Sequence, residues 1–123
     1  MNIIDSSGWL EYFSDGPNAK YYLTPLKDTS SLIVPAITIY EVFKVVLRAT
    51  DENEALQAVA AMQKGKVVEL TANIALIAAK LSLQHNLPMA DSIILATAQK
   101  YRCVIWTQDS DFQNLENVNY FSK

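Results

Sequence analysis

"CVIWTQDSDF", residues Cys103–Phe112, decides how this chain is read. A short apolar run of strand length ends at Thr107 and gives way at once to two carboxylates, Asp109 and Asp111. Such a run, bounded by polar residues, reads as a core strand. The acids beyond it either shape a turn or belong to a site assembled from distant parts of the chain.

Working outward, other short apolar runs alternate with helical patterns. "MNIID", "SLIVPA" and "KVVEL" read as strands, and "VNYF" as a short final one. "SSGWLEYFSD" opens a helix that Ser6 or Ser7 can cap. "PNAKYYLTPLKD" follows as a second helical stretch opened by Pro17 and ended or kinked at Pro25. "TIYEVFKVVLRAT" carries the capping-box pattern Thr38-x-x-Glu41. "DENEALQAVAAMQKG" has an acidic first turn and a stop at Gly65. "TANIALIAAKLSLQHN" is a helix ended by Pro88, which stands at or near the start of another, "PMADSIILATAQKY". Strands this short and this continuously apolar are buried on both faces. The expected fold is therefore α/β: one domain over residues 1–123, with a mainly parallel central sheet of about five short strands covered by helices on both faces.

With 123 residues, half of them hydrophobic, the chain can bury a core without disulfides or a structural metal. Cys103 is the only cysteine, and its place at the start of an apolar strand reads as core. His85 is the only histidine and falls where a helix ends, so a His-based zinc site or a His-centred triad has little support. Lys80 interrupts the longest apolar stretch, and no secretory signal pattern opens the chain, so a cytoplasmic protein away from membranes is expected. A net charge of −3 argues against gripping nucleic acid through a broad basic surface, but not against approaching phosphates through a bound cation.

Four acids, Asp5, Glu41, Asp91 and Asp109, each sit where a strand has just ended or a helix has just begun. In a parallel sheet these positions share one edge, the edge at which such folds bind ligands. Each has a plain structural explanation: Asp5 as a helix cap, Glu41 as the reciprocal member of the Thr38 box, Asp91 favouring a helix dipole, Asp109 and Asp111 in a turn. Their joint occurrence is harder to explain that way. Converging carboxylates repel unless a cation neutralises them, and oxygen ligands without histidine or thiol suit Mg²⁺ or Mn²⁺. Such a cation would bind a phosphodiester and acidify a water, so metal-dependent phosphodiester hydrolysis is the expected reaction. Ser6 and Thr107 flank the acids, with hydroxyls able to orient water or hydrogen-bond a carboxylate, or to serve as a cap and a strand end.

"IIDSSGWL", "ITIYEVFK", "LPMADSIILATA" and "WTQDSDF", in this order and spacing over almost the whole chain, resemble the PIN-domain nucleases, and in particular the VapC toxin ribonucleases of toxin–antitoxin operons. The resemblance implies that Asp5, Glu41, Asp91 and Asp109 form a catalytic set binding Mg²⁺ or Mn²⁺, with Asp111 supporting the loop or standing as an alternative to Asp109. It also implies an RNA substrate, a homodimer, and inhibition by a small antitoxin protein.

Lys44 and Arg48 share a helix face with Glu41 and are candidates to hold RNA phosphates; an ordinary solvated face is the alternative. Trp9, Tyr12, Phe13, Tyr21 and Tyr22 suit core, or a dimer or antitoxin groove between the first two helices, better than base stacking. Trp106 reads as core. A phosphoacceptor receiver domain fits poorly, lacking an adjacent acidic pair after an early strand and a lysine after a late one. A PIN-like module that binds RNA or a protein partner without turnover is the non-enzymatic alternative.

Overall fold

The computed structural model describes residues 1–123. Five short strands are all parallel: β1 (Asn2–Ile4), β2 (Ile33–Pro35), β3 (Lys66–Val68), β4 (Val104–Thr107) and β5 (Val118–Tyr120). They form a three-stranded sheet, β1-β4-β5, and a two-stranded one, β2-β3, joined by a single bridge between Asn2 and Leu32. The spatial sequence is thus β3-β2-β1-β4-β5. From β1 the chain builds outward on one side and then crosses to the other, so β1 stands at the point where the order reverses.

Six α-helices fill the connections: α1 (Ser6–Phe13), α2 (Leu23–Lys27), α3 (Ala36–Ala49), α4 (Glu52–Met62), α5 (Ala72–His85) and α6 (Met89–Tyr101). Successive strand residues point to opposite faces, and the core divides accordingly. Ile3, Ile33 and Ile105 pack with Ile74, Ile94 and Phe112 under α5 and α6. Ile4 and Val34 pack with Trp9, Tyr22, Val42 and Met62 under α1, α3 and α4. This is the predicted two-faced α/β architecture, and Cys103 is core, as read.

Several boundaries differ from expectation. Of the caps offered for α1, Asp5 takes the role rather than Ser6 or Ser7, accepting from the Gly8 N–H. The Thr38-x-x-Glu41 capping box does not form. Proline at position 35 ends β2, α3 starts immediately after it, and Thr38 lies inside the helix with its hydroxyl donating to the Pro35 carbonyl. Glu41 consequently sits in the second turn rather than the first. Pro25 lies inside α2, near its start where no N–H is needed, rather than ending the helical stretch. Gly65 is not a left-handed helix stop. A Cβ there would meet the Leu32 carbonyl at 2.9 Å, so glycine lets the chain pass against β2 as it enters β3. Left-handed caps fall instead to Asn86 after α5 and Arg102 after α6.

Candidate metal centre

β1 and β4 run side by side, and the Asp5 N–H donates to the Trp106 carbonyl, so the two strands end level. Asp5 leaves β1 there, 2% exposed. Its Oδ1 accepts from Ser7 Oγ at 2.7 Å and from the Gly8 N–H at 3.1 Å. Burial pushes its pKa up to about 6, against the lowering pull of these donors and of Thr107.

Beyond β4, Thr107 Oγ1 accepts the Asp109 N–H at 2.9 Å, and Asp109 Oδ1 accepts the Asp111 N–H at 2.9 Å. This one turn of 3₁₀-helix directs both carboxylates back toward the start of α6. Asp91, in the first turn of α6, meets them: single carboxylate oxygens of Asp91, Asp109 and Asp111 lie within 4.8 Å of one another. Desolvation, then the charge of Asp109, a hydrogen bond with Asp111 and the charge of Asp5 push the Asp91 pKa up to about 8. The charges that raise it, those of Asp109, Asp5 and Asp111, are all negative.

The predicted acids therefore gather unequally. Asp91, Asp109 and Asp111 form the tight group, and Asp5 adds its charge beside them. Asp109 and Asp111 both reach Asp91, the first half-buried and the second exposed. Glu41 is half-buried outside that group, and Ser6 Oγ donates to it, tying α3 to α1 next to Asp5. Lys44 and Arg48 are exposed. At 1.5 Å per residue they stand roughly 4.5 and 10 Å beyond Glu41 along α3. The Lys44 ammonium lies 5.7 Å from the Tyr40 ring centre.

Residues that the sequence reading did not single out complete the surroundings. Gln108, 7% exposed, donates its N–H to Ser7 Oγ, and its side-chain oxygen accepts from Asn18 and, at 3.4 Å, from the Tyr22 hydroxyl. Only its place directly after Thr107 hinted at this. The donor set fits a hard divalent cation: closely placed carboxylates, buried at Asp5 and half-buried at Asp91 and Asp109, with oxygen atoms alone.

The aromatics also sort themselves. Trp9 and Tyr22 are core, while Tyr21 stacks on Phe121 at 4.8 Å. The expected groove between the first two helices is not where Tyr12 and Phe13 sit. They line one formed by α1, α3 and α4, with Leu10, Val45, Val46 and Ala49. No helix is long and apolar enough to cross a membrane.

Among curated proteins none matches this sequence. Among solved structures, the chain is similar to a toxin–antitoxin complex from Klebsiella pneumoniae, with TM-score 0.85 and 23% identity over 100% of both chains. It is also similar to VapC20 from Mycobacterium tuberculosis, a sarcin–ricin loop cleaving toxin, with TM-score 0.80, 16% identity and 94% and 95% of the two chains covered. A third is VapBC2 from Rickettsia felis bound to a fragment of promoter DNA, with TM-score 0.74, 10% identity and coverages of 98% and 97%. At these identities the likeness speaks for the fold, but the PIN domain family model matches residues 3–118, nearly the whole chain, so the strand-end acids stand in a protein that belongs to the PIN domain family.

Proposed function

We propose that this protein is a metal-dependent endoribonuclease, the toxin of a type II toxin–antitoxin pair, using Asp5, Glu41, Asp91 and Asp109 as its acidic set with Asp111 in support. The observation that carries the reading is the convergence of Asp91, Asp109 and Asp111 oxygens within 4.8 Å, beside the buried Asp5. Such a group costs stability unless it holds a cation.

Mg²⁺ or Mn²⁺ bound by these carboxylates would neutralise them, attract a phosphodiester and acidify water. The chain's own residues contribute position. Ser7 and the Gly8 N–H occupy one oxygen of Asp5, Ser6 steadies Glu41, and the Thr107 hydroxyl holds the loop that carries Asp109. Lys44 and Arg48 extend the site along α3 as candidates for RNA phosphates.

The protein partners follow from two apolar surfaces. The groove between α1, α3 and α4, about 640 Å³, suits an apolar helix or strand of an antitoxin. Leu76 and Leu83 on α5 and Met89 opening α6 are 69%, 89% and 71% exposed, which supports a second copy of the chain as a further partner.

The test is incubation of antitoxin-free protein with total cellular RNA and Mn²⁺ or Mg²⁺, beside Asp5→Asn and Asp91→Asn variants and an EDTA control. Cleavage at a few discrete sites, lost in both variants and with EDTA, is the expected result. RNA binding without metal dependence and without cleavage would favour a silent module that binds RNA or a protein partner.

A further inference from the structure

Ser7, the second residue of α1, has a hydroxyl whose direction is set by its neighbours. The Gln108 N–H donates to Ser7 Oγ at 3.2 Å, and an amide nitrogen offers no lone pair in return, so the proton of Ser7 must go to another acceptor. Two are within reach: Asp5 Oδ1 at 2.7 Å and Thr107 Oγ1 at 3.4 Å. Thr107 Oγ1 already accepts the Asp109 N–H, and the much shorter contact is to the carboxylate. The Gly8 N–H donates to the same Asp5 oxygen at 3.1 Å. One oxygen of Asp5 is thus occupied by two donors from the first turn of α1, and the other remains for further partners.

We propose that Ser7 is a positioning residue for the candidate metal site: its hydroxyl, aimed by the Gln108 N–H, fixes the rotation of the Asp5 carboxylate and leaves the second oxygen to the cation. This rests on the metal-binding reading of the carboxylates given above. At 2% exposure, water has little access to replace a lost donor, and without Ser7 the carboxylate is held mainly by the Gly8 N–H. Ser6 plays the corresponding part for Glu41, so two adjacent serines hold two carboxylates from different elements. Residues that orient a metal ligand in this way are worth roughly tenfold to a hundredfold in metal affinity.

The experiment is Mn²⁺ titration of wild-type protein, Ser7→Ala, Ser7→Thr and Asp5→Asn, reading free Mn²⁺ by its electron paramagnetic resonance signal. Unfolding temperatures of the metal-free proteins are measured in parallel. The expected result is a Kd for Mn²⁺ about tenfold higher in Ser7→Ala and restored in Ser7→Thr. Ser7→Cys, similar in volume but a weak donor, gives the same comparison if the alanine variant folds poorly. Wild-type affinity in Ser7→Ala, with weakened binding in Asp5→Asn, overturns the role of Ser7 alone, and a lowered metal-free unfolding temperature with unchanged Kd does the same. No Mn²⁺ binding by wild type overturns the metal reading itself and this inference with it, whereas equal binding by Asp5→Asn removes Asp5 as a ligand and overturns this inference while the Asp91, Asp109 and Asp111 group still stands.

Discussion

Burial and neighbouring acids raise the pKa of Asp5 and Asp91 in the folded chain. Their pKa values of about 6 and about 8 both lie above the ordinary 3.8. Between about pH 4 and pH 8 the native protein therefore binds more protons than the unfolded one, and stability falls as pH rises through that window. For the buried Asp5 the contribution is at most roughly 3 kcal/mol. Metal-free protein should show an unfolding temperature that declines from pH 5 to pH 8. Asp91→Asn, which removes the charge without changing the shape, should flatten the decline. Thermal melts in EDTA across this range check both expectations; a curve rising toward pH 8 would contradict them. Ser6→Ala should lower activity with little effect on the fold, because it frees the half-buried Glu41 rather than removing core. Single-turnover RNA cleavage and a melting curve separate the two effects.

At the scale of elements, the packing of α1 against β1 depends on Gly8. A Cβ there would lie 2.6 Å from Tyr22 Cε1 and 2.7 Å from Ile4 Cγ2, both in buried side chains. Alanine would gain about 1 kcal/mol in helix propensity, but overpacking costs roughly 1–3 kcal/mol. The clash should win, and Gly8→Ala should lower the denaturant midpoint with unchanged slope. On α3, Arg48 stands farther along the helix from Glu41 than Lys44 does. Arg48→Ala should weaken RNA binding and reduce the slope of log K against log salt by about 1, as for one phosphate contact. Binding curves at several salt concentrations decide this, and an unchanged slope removes Arg48 from the RNA path. Helix and strand types were legible because the apolar runs are short and the helical patterns long. Boundaries were less so: "IVPAITIYE" offers a capping-box pattern at Thr38, but proline's fixed φ and missing N–H make Pro35 the entry to α3.

The whole molecule carries its acids where the sheet order reverses, so a cation bound among them would link its own loading to folding. If the carboxylates hold Mn²⁺, adding it at about one hundred times its Kd should stabilise the protein by about 2.7 kcal/mol. For a domain of this size that is on the order of 10 °C in unfolding temperature. Asp91→Asn should lose most of the gain. A melt unchanged by Mn²⁺ in wild-type protein would leave the acidic cluster without a cation.

The sequence by itself determined the alternation of strands and helices, the parallel two-faced sheet and the placement of Asp5, Asp91 and Asp109 at its carboxyl edge. Period, cap residues and strand-end acids are local features, written in adjacent residues. Tertiary structure alone decided that Asp91 meets both Asp109 and Asp111, that Glu41 is taken by Ser6, and that the Gln108 N–H meets the Ser7 hydroxyl that holds Asp5. These contacts join residues up to 101 positions apart. The longest of them depends on β1 lying beside β4 in register, a pairing that no window along the chain can express.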